Sequence, residues 1–81
     1  MIYTYLNDLP NKILKDLKSI AIDTETTGLL PHRDRLCIAQ FSTGDGNAYI
    51  VKFEDYTKAK NIEKMLSDEG ILKIFHYARF D

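Results

Sequence analysis

The 81-residue chain contains a single cysteine, Cys37, which excludes an internal disulfide and leaves no cysteine pair for a structural zinc site. No apolar run approaches the roughly 18 residues that a membrane-crossing helix needs. The N-terminal MIYTYLNDLP also lacks the charged-then-apolar layout of a signal peptide. These absences predict a soluble, cytoplasmic protein with no membrane partner. Positive charge is not in excess either: the formal net charge is −1, so any attraction to nucleic acid must be local. Repeats, low-complexity tracts and linkers are missing. A chain this short makes one small domain and buries only about 60% of its unfolded surface, so its core is marginal.

What is present is an alternation of short apolar runs and turn signals. IYTYL (Ile2–Leu6) is a short strand candidate. Asn7 or Asp8 can cap a following helix that Pro10 helps to start, with Ile13, Leu14 and Leu17 on its buried side. SIAID is short and apolar on both faces, as a central strand is. TTGLLPHRDR reads as loop, punctuated by Gly28 and Pro31. LCIAQF (Leu36–Phe41) and AYIVKF are two further strands joined by the turn residues of GDGN. In NIEKMLSDEG, Ile62, Met65 and Leu66 recur at helical spacing, with Ala59 one turn earlier and Gly70 placed to end the helix. ILKIF (Ile71–Phe75) is the fourth main strand, and HYARFD leads out of it. Three strands joined by hairpins, then a crossover helix and a strand, predict an α/β fold with a mixed sheet, the last strand lying parallel to a neighbour.

The chemistry-bearing feature is the end of SIAIDTETTGL. Strand side chains alternate, so Asp23 and Glu25 fall on one side, roughly 6–7 Å apart along the backbone, with Thr24 on the other. In open α/β sheets ligand sites gather at the carboxyl ends of strands, which is where this pair stands. Asp81 follows the fourth main strand and reaches the same edge if that strand lies parallel beside SIAID. Three converging acids raise the cost of ionising one another unless cations compensate. Two divalent ions about 3.5–4 Å apart do this, and hard oxygen ligands suit magnesium or manganese. By itself an Asp-x-Glu pair is equally a solvated or salt-bridged surface feature.

IAIDTETTGL resembles the first motif of the DEDD 3′–5′ exonucleases, and ILKIFHYARFD resembles their second; the ribonuclease D-like branch is the nearest. The resemblance covers nearly the whole chain and implies a ribonuclease H-like mixed sheet, truncated after the fourth main strand. Residues 1–81 would then be the N-terminal part of a single exonuclease domain. It further implies that Asp23, Glu25 and Asp81 are catalytic metal ligands for two Mg2+ or Mn2+ ions. Asp23 would bridge both, with Glu25 on one and Asp81 nearer the other. Thr26 and Leu29 match positions that meet the terminal nucleotide, through a backbone contact to the 3′ hydroxyl and an apolar wedge under the base. Phe80 matches the aromatic before the second-motif aspartate, and Tyr77 stands where many members carry asparagine. Thr24 and His76, beside the acids, complete the candidate substrate contacts. The partner implied is a 3′ end of RNA or single-stranded DNA. The family's third motif, with its fourth aspartate and tyrosine or histidine base, has no counterpart in the 81 residues, so little or no catalysis is expected from them alone.

Other residues have simpler accounts. Ordering the loop after its strand suffices for His76, and Asp34 is an internal partner for His32, Arg33 and Arg35. Arg79 has a claim to phosphate or to offsetting the nearby acids. Cys37 reads as an inert core thiol and Gln40 as a structural polar residue that needs a partner if buried. The lysines of NKILKDLK and TKAKNIEK are the wet faces of two helices. A non-catalytic nucleic-acid- or protein-binding remnant of the same fold is the alternative function. An aspartate-phosphorylating fold is disfavoured, because the second acid of DTETT is Glu and a hairpin follows it. Without further chain beside it, Ile71–Phe75 is expected to be an exposed apolar edge that drives self-association.

Overall fold

The structure, a computed structural model, describes residues 1–26 and 37–77. Five strands form one mixed sheet: β1 (Ile2–Leu6), β2 (Ser19–Thr26), β3 (Cys37–Ser42), β4 (Ala48–Phe53) and β5 (Leu72–Tyr77), in the spatial order β1-β4-β3-β2-β5. β2, β3 and β4 are antiparallel neighbours, while β1 pairs parallel to β4 and β5 parallel to β2. The carboxyl ends of β1, β2, β4 and β5 therefore share one rim. The helix-linked return expected for the last strand is what the chain makes.

Two helices, α1 (Asn11–Leu14) and α2 (Lys60–Leu66), cover one face of the sheet. Alternation along each strand supplies the core. Ile20 and Ile22 of β2, Ala39 and Phe41 of β3, and Tyr49, Val51 and Phe53 of β4 are buried together with Ala59, Ile62 and Met65. Leu9 and Leu14 close that core at the first connection, with Ile13 and Leu17 packed against it. The opposite face carries the alternate residues: Thr4, Asp23, Gln40 and Lys52 are exposed, with Ile38 and Ile50 half-buried between them.

Three local expectations are corrected. First, α1 is a single turn: Lys15 is already extended and Asp16 left-handed (φ 59°), so Leu17 packs on the core from outside the helix. A one-turn helix has no propagation to stabilise it and lasts only as long as its packing. Second, neither Asn7 nor Asp8 caps α1; Pro10 occupies that position without a side-chain hydrogen bond. Asp8 instead accepts from the backbone N–H of Asn61 (2.9 Å) and of Ile62 (3.0 Å), capping α2 across 53 residues of sequence. Asn61 returns a bond from Nδ2 to the Leu9 carbonyl at 2.8 Å. Buried Asn7, left-handed at φ 68°, accepts from the N–H groups of Glu54 and Asp55 at 2.7 and 2.8 Å. Third, α2 stops at Leu66 with Ser67 as its cap, so Gly70 lies past the helix in the turn, where its N–H donates to Asp68. Leu66, expected on the buried side, is 44% exposed, because the Ile62–Met65 stripe takes the sheet-facing side of so short a helix.

The turn between β3 and β4 follows the expected chemistry. Gly44 and Gly46 both take positive φ, a region they occupy without a Cβ penalty. At the edge, β5 leaves Leu72 and Ile74 at 64% and 45% exposure, as predicted for an apolar edge, although Ile71 itself is buried.

Candidate metal centre at the carboxyl end of β2

Asp23 is held by two neighbouring strands at once. Its register partners are Gln40 in antiparallel β3 and His76 in parallel β5. The expected alternation is present: Asp23 is exposed on the open face, and Thr24 is half-buried on the covered face. Thr24 lines an apolar cleft of about 410 Å³ between α2 and the sheet, with Ile22, Ile62, Leu66 and Phe75 among its walls. The structure therefore does not bring Thr24 together with the Asp23 side chain. Strand pairing continues unbroken past Asp23, through Glu25↔Ile38 to Thr26↔Cys37, so Glu25 holds the backbone position two residues further toward the rim.

β5 arrives at the same rim. It runs parallel to β2 and pairs as far as Thr24↔Tyr77, which makes His76 the immediate lateral neighbour of Asp23. His76 and Tyr77 are thus strand residues rather than the start of an exit loop, and His76 is exposed. Asp81, Phe80 and Leu29 lie outside the described residues, as do His32, Arg33, Arg35 and Arg79. Thr26 and Tyr77 are placed by their backbone alone.

Hydrogen bonding distinguishes the acids on this rim. Among the described residues no cation pairs with its carboxylate, and no group of three His, Cys, Asp or Glu side chains comes together. Asp55, by contrast, accepts from the Thr57 hydroxyl at 2.6 Å and the Thr57 N–H at 3.0 Å, which hold its carboxyl below the ordinary range. A carboxylate left accessible at a strand's carboxyl end, two residues before a second one, is a donor set of hard oxygens that fits Mg2+ or Mn2+.

Gln40, read from the sequence as a structural residue that needs a partner if buried, is exposed and directly beside Asp23. Its position as the odd polar residue in LCIAQF was the available signal, but hairpin register decides which residue it faces.

Residues 3–81 match a family of 3′–5′ exonucleases. Among solved structures, NrnC of Brucella melitensis with bound Mg2+ is 51% identical, with a TM-score of 0.74 over 93% of this chain and 38% of that one. The same protein bound to pGG is 51% identical with a TM-score of 0.75, over 93% of this chain and 37% of that one. A structure described as the apo form of the nuclease is 45% identical, with a TM-score of 0.75 over 99% of this chain and 40% of that one. The chain thus spans well under half the length of the relatives it matches. No curated protein sequence matches it. The mixed five-stranded sheet with its helices is the α/β ribonuclease H-like exonuclease fold of NrnC.

Proposed function

The chain belongs to the 3′–5′ exonuclease family, and from that membership we propose that it forms the metal-binding front of a two-metal 3′–5′ exonuclease of the ribonuclease D-like branch. Its substrate is the 3′ end of RNA or single-stranded DNA, shortened by water attack on the terminal phosphodiester with release of nucleoside monophosphates. The observation that carries this reading is the parallel pairing of β5 with β2, in register at Asp23↔His76. It delivers the second exonuclease-like segment to the rim on which the first one ends. That NrnC is described with Mg2+ and with pGG supports a divalent cation and a short oligonucleotide as the first ligands to try.

In this proposal Asp23, Glu25 and Asp81 would hold the cations. When bound, the cations lower the pKa of a water and offset the charge of the phosphodiester. The remaining work is positional. By the family resemblance, Thr26 would contact the 3′ hydroxyl through its backbone, Leu29 would wedge beneath the terminal base, and Phe80 and Tyr77 would border the same nucleotide. The fourth acid and the general base of the resembled family are not among the 81 residues, so these alone hold metal weakly and turn over little.

Manganese titration by calorimetry tests the site without requiring turnover. Weak uptake by the 81-residue chain, lost in Asp23→Ala, is the expected result; uptake that survives this substitution counts against the site. The alternative reading is a non-catalytic nucleic-acid- or protein-binding remnant of the same fold. Salt-dependent, metal-independent binding of single strands would select that reading.

A further inference from the structure

Asp23 sits in a row of residues that crosses the open face of the sheet: Thr4, Ile50, Gln40, Asp23 and His76 are consecutive register partners on β1, β4, β3, β2 and β5. Neighbouring strands lie about 4.8 Å apart, so side chains on one face of adjacent strands are within mutual reach. Gln40 and His76 are both exposed on that face, one on each side of the carboxylate. Each carries an N–H donor and neither need carry charge. The neighbouring positions differ. Two residues earlier on β2, Ala21 has Ser42 and Ile74 as partners; two residues later, Glu25 has Ile38 on the β3 side.

We infer that Gln40 and His76 are positioning residues for Asp23, placed by register to donate from opposite sides to its carboxylate when a cation binds and so to fix its orientation. The chemistry of the flanking pair supports this. A lysine or arginine in either place would neutralise Asp23 and compete with the cation. A further carboxylate would add repulsion. Neutral donors do neither: a carboxylate has about four lone-pair sites, so two donated bonds leave the others for metal. Ligating carboxylates are commonly oriented by such outer hydrogen bonds, and loss of one costs about 10–100-fold in metal affinity. The inference rests on the metal-site proposal above and deepens it, since it names what holds the ligand rather than the ligand itself.

The test is Mn2+ calorimetry on the 81-residue chain and five variants, with circular dichroism as the folding control. Gln40→Met and His76→Ala each weaken uptake about tenfold; His76→Gln, which restores an N–H donor, recovers most of it. Thr4→Ala, at the far end of the same row, leaves it unchanged. Unaltered affinity in Gln40→Met and His76→Ala, while Asp23→Ala still abolishes uptake, overturns the inference and leaves the metal site standing. Uptake that persists in Asp23→Ala overturns the site and the inference together. A measurement on the unsubstituted chain guards against variants that misfold. The His76 ring nitrogens, followed by long-range proton–nitrogen correlation, shift on Mg2+ addition and do not shift in Asp23→Asn. An unresponsive ring in the unsubstituted chain also overturns the role of His76.

Discussion

The rim shared by the carboxyl ends of the parallel strands divides into two halves that use acids differently. On the β1–β4 half, Asp8 caps α2 through two backbone N–H groups and Asp55 caps the short turn over Tyr56–Lys58. Buried Asn7 ties the two strand exits together. On the β2–β5 half, Asp23 is exposed, with Gln40 and His76 as its lateral neighbours. Acids following strands at one rim thus serve either as clips or as an accessible charge. A crossed pair of substitutions tests this division most severely. Asp23→Ala eliminates Mn2+ uptake while moving stability by no more than about 0.5 kcal/mol, as for an exposed side chain that satisfies no buried backbone group. Asp8→Ala does the reverse: uptake per folded molecule stays, and the lost cap costs about 2 kcal/mol, or about 10 °C of melting temperature in a domain of this size. If Asp23→Ala destabilises as much as Asp8→Ala, the two halves are not distinct.

The order of these effects also explains what could be read from the sequence. The four main strands, the hairpin, the crossover helix and the parallel return were legible because each rests on local periodicity and on connection rules. The candidate acids Asp23 and Glu25 were legible because alternation along a strand is a local property. The role of Asp8 was not, because its partners lie 53 and 54 residues away. A cap is usually supplied from the residue adjoining its helix, and here Ala59 occupies that place without a side-chain acceptor. That Gln40 and His76 flank Asp23 was not legible for the same reason: cross-strand neighbours are set by register, which the hydrophobic pattern does not fix to the residue.

The two edges of the sheet allow a smaller test. β1 exposes Ile2 and Leu6, and β5 exposes Leu72 and Ile74. Unpaired edge backbone beside apolar side chains invites another strand. Sedimentation of the 81-residue chain is expected to show dimers or larger species. Ile74→Lys, which places a charge on the β5 edge, shifts the population toward monomer by about tenfold in association constant; a change of that size corresponds to roughly 1.4 kcal/mol. Ile2→Lys shifts it less if β5 is the principal contact. A chain that sediments as a sharp monomer before any substitution contradicts the expectation.

The smallest effect belongs to the far rim, where Asp45 behaves like the clips rather than like Asp23. The Tyr49 hydroxyl donates to Asp45 at 2.5 Å and the Asn47 N–H donates at 2.9 Å, lowering its pKa from 3.8 to about 2. The same contact pushes the Tyr49 hydroxyl above its ordinary value. A carboxyl whose pKa is depressed on folding stabilises the fold above its unfolded pKa and loses that contribution as pH falls through the folded one. Asp45 therefore contributes fully above about pH 4, and its contribution fades between there and about pH 2. Solvent around this exposed turn keeps the effect small. In Tyr49→Phe the ring remains on the core while the hydroxyl donor is gone. Carbon NMR of the Asp45 carboxyl should show its midpoint near 2 in the unsubstituted chain and move upward in the variant. The acid limb of the unfolding curve should become correspondingly shallower. An unmoved midpoint would mean that the turn backbone, rather than Tyr49, holds this carboxylate.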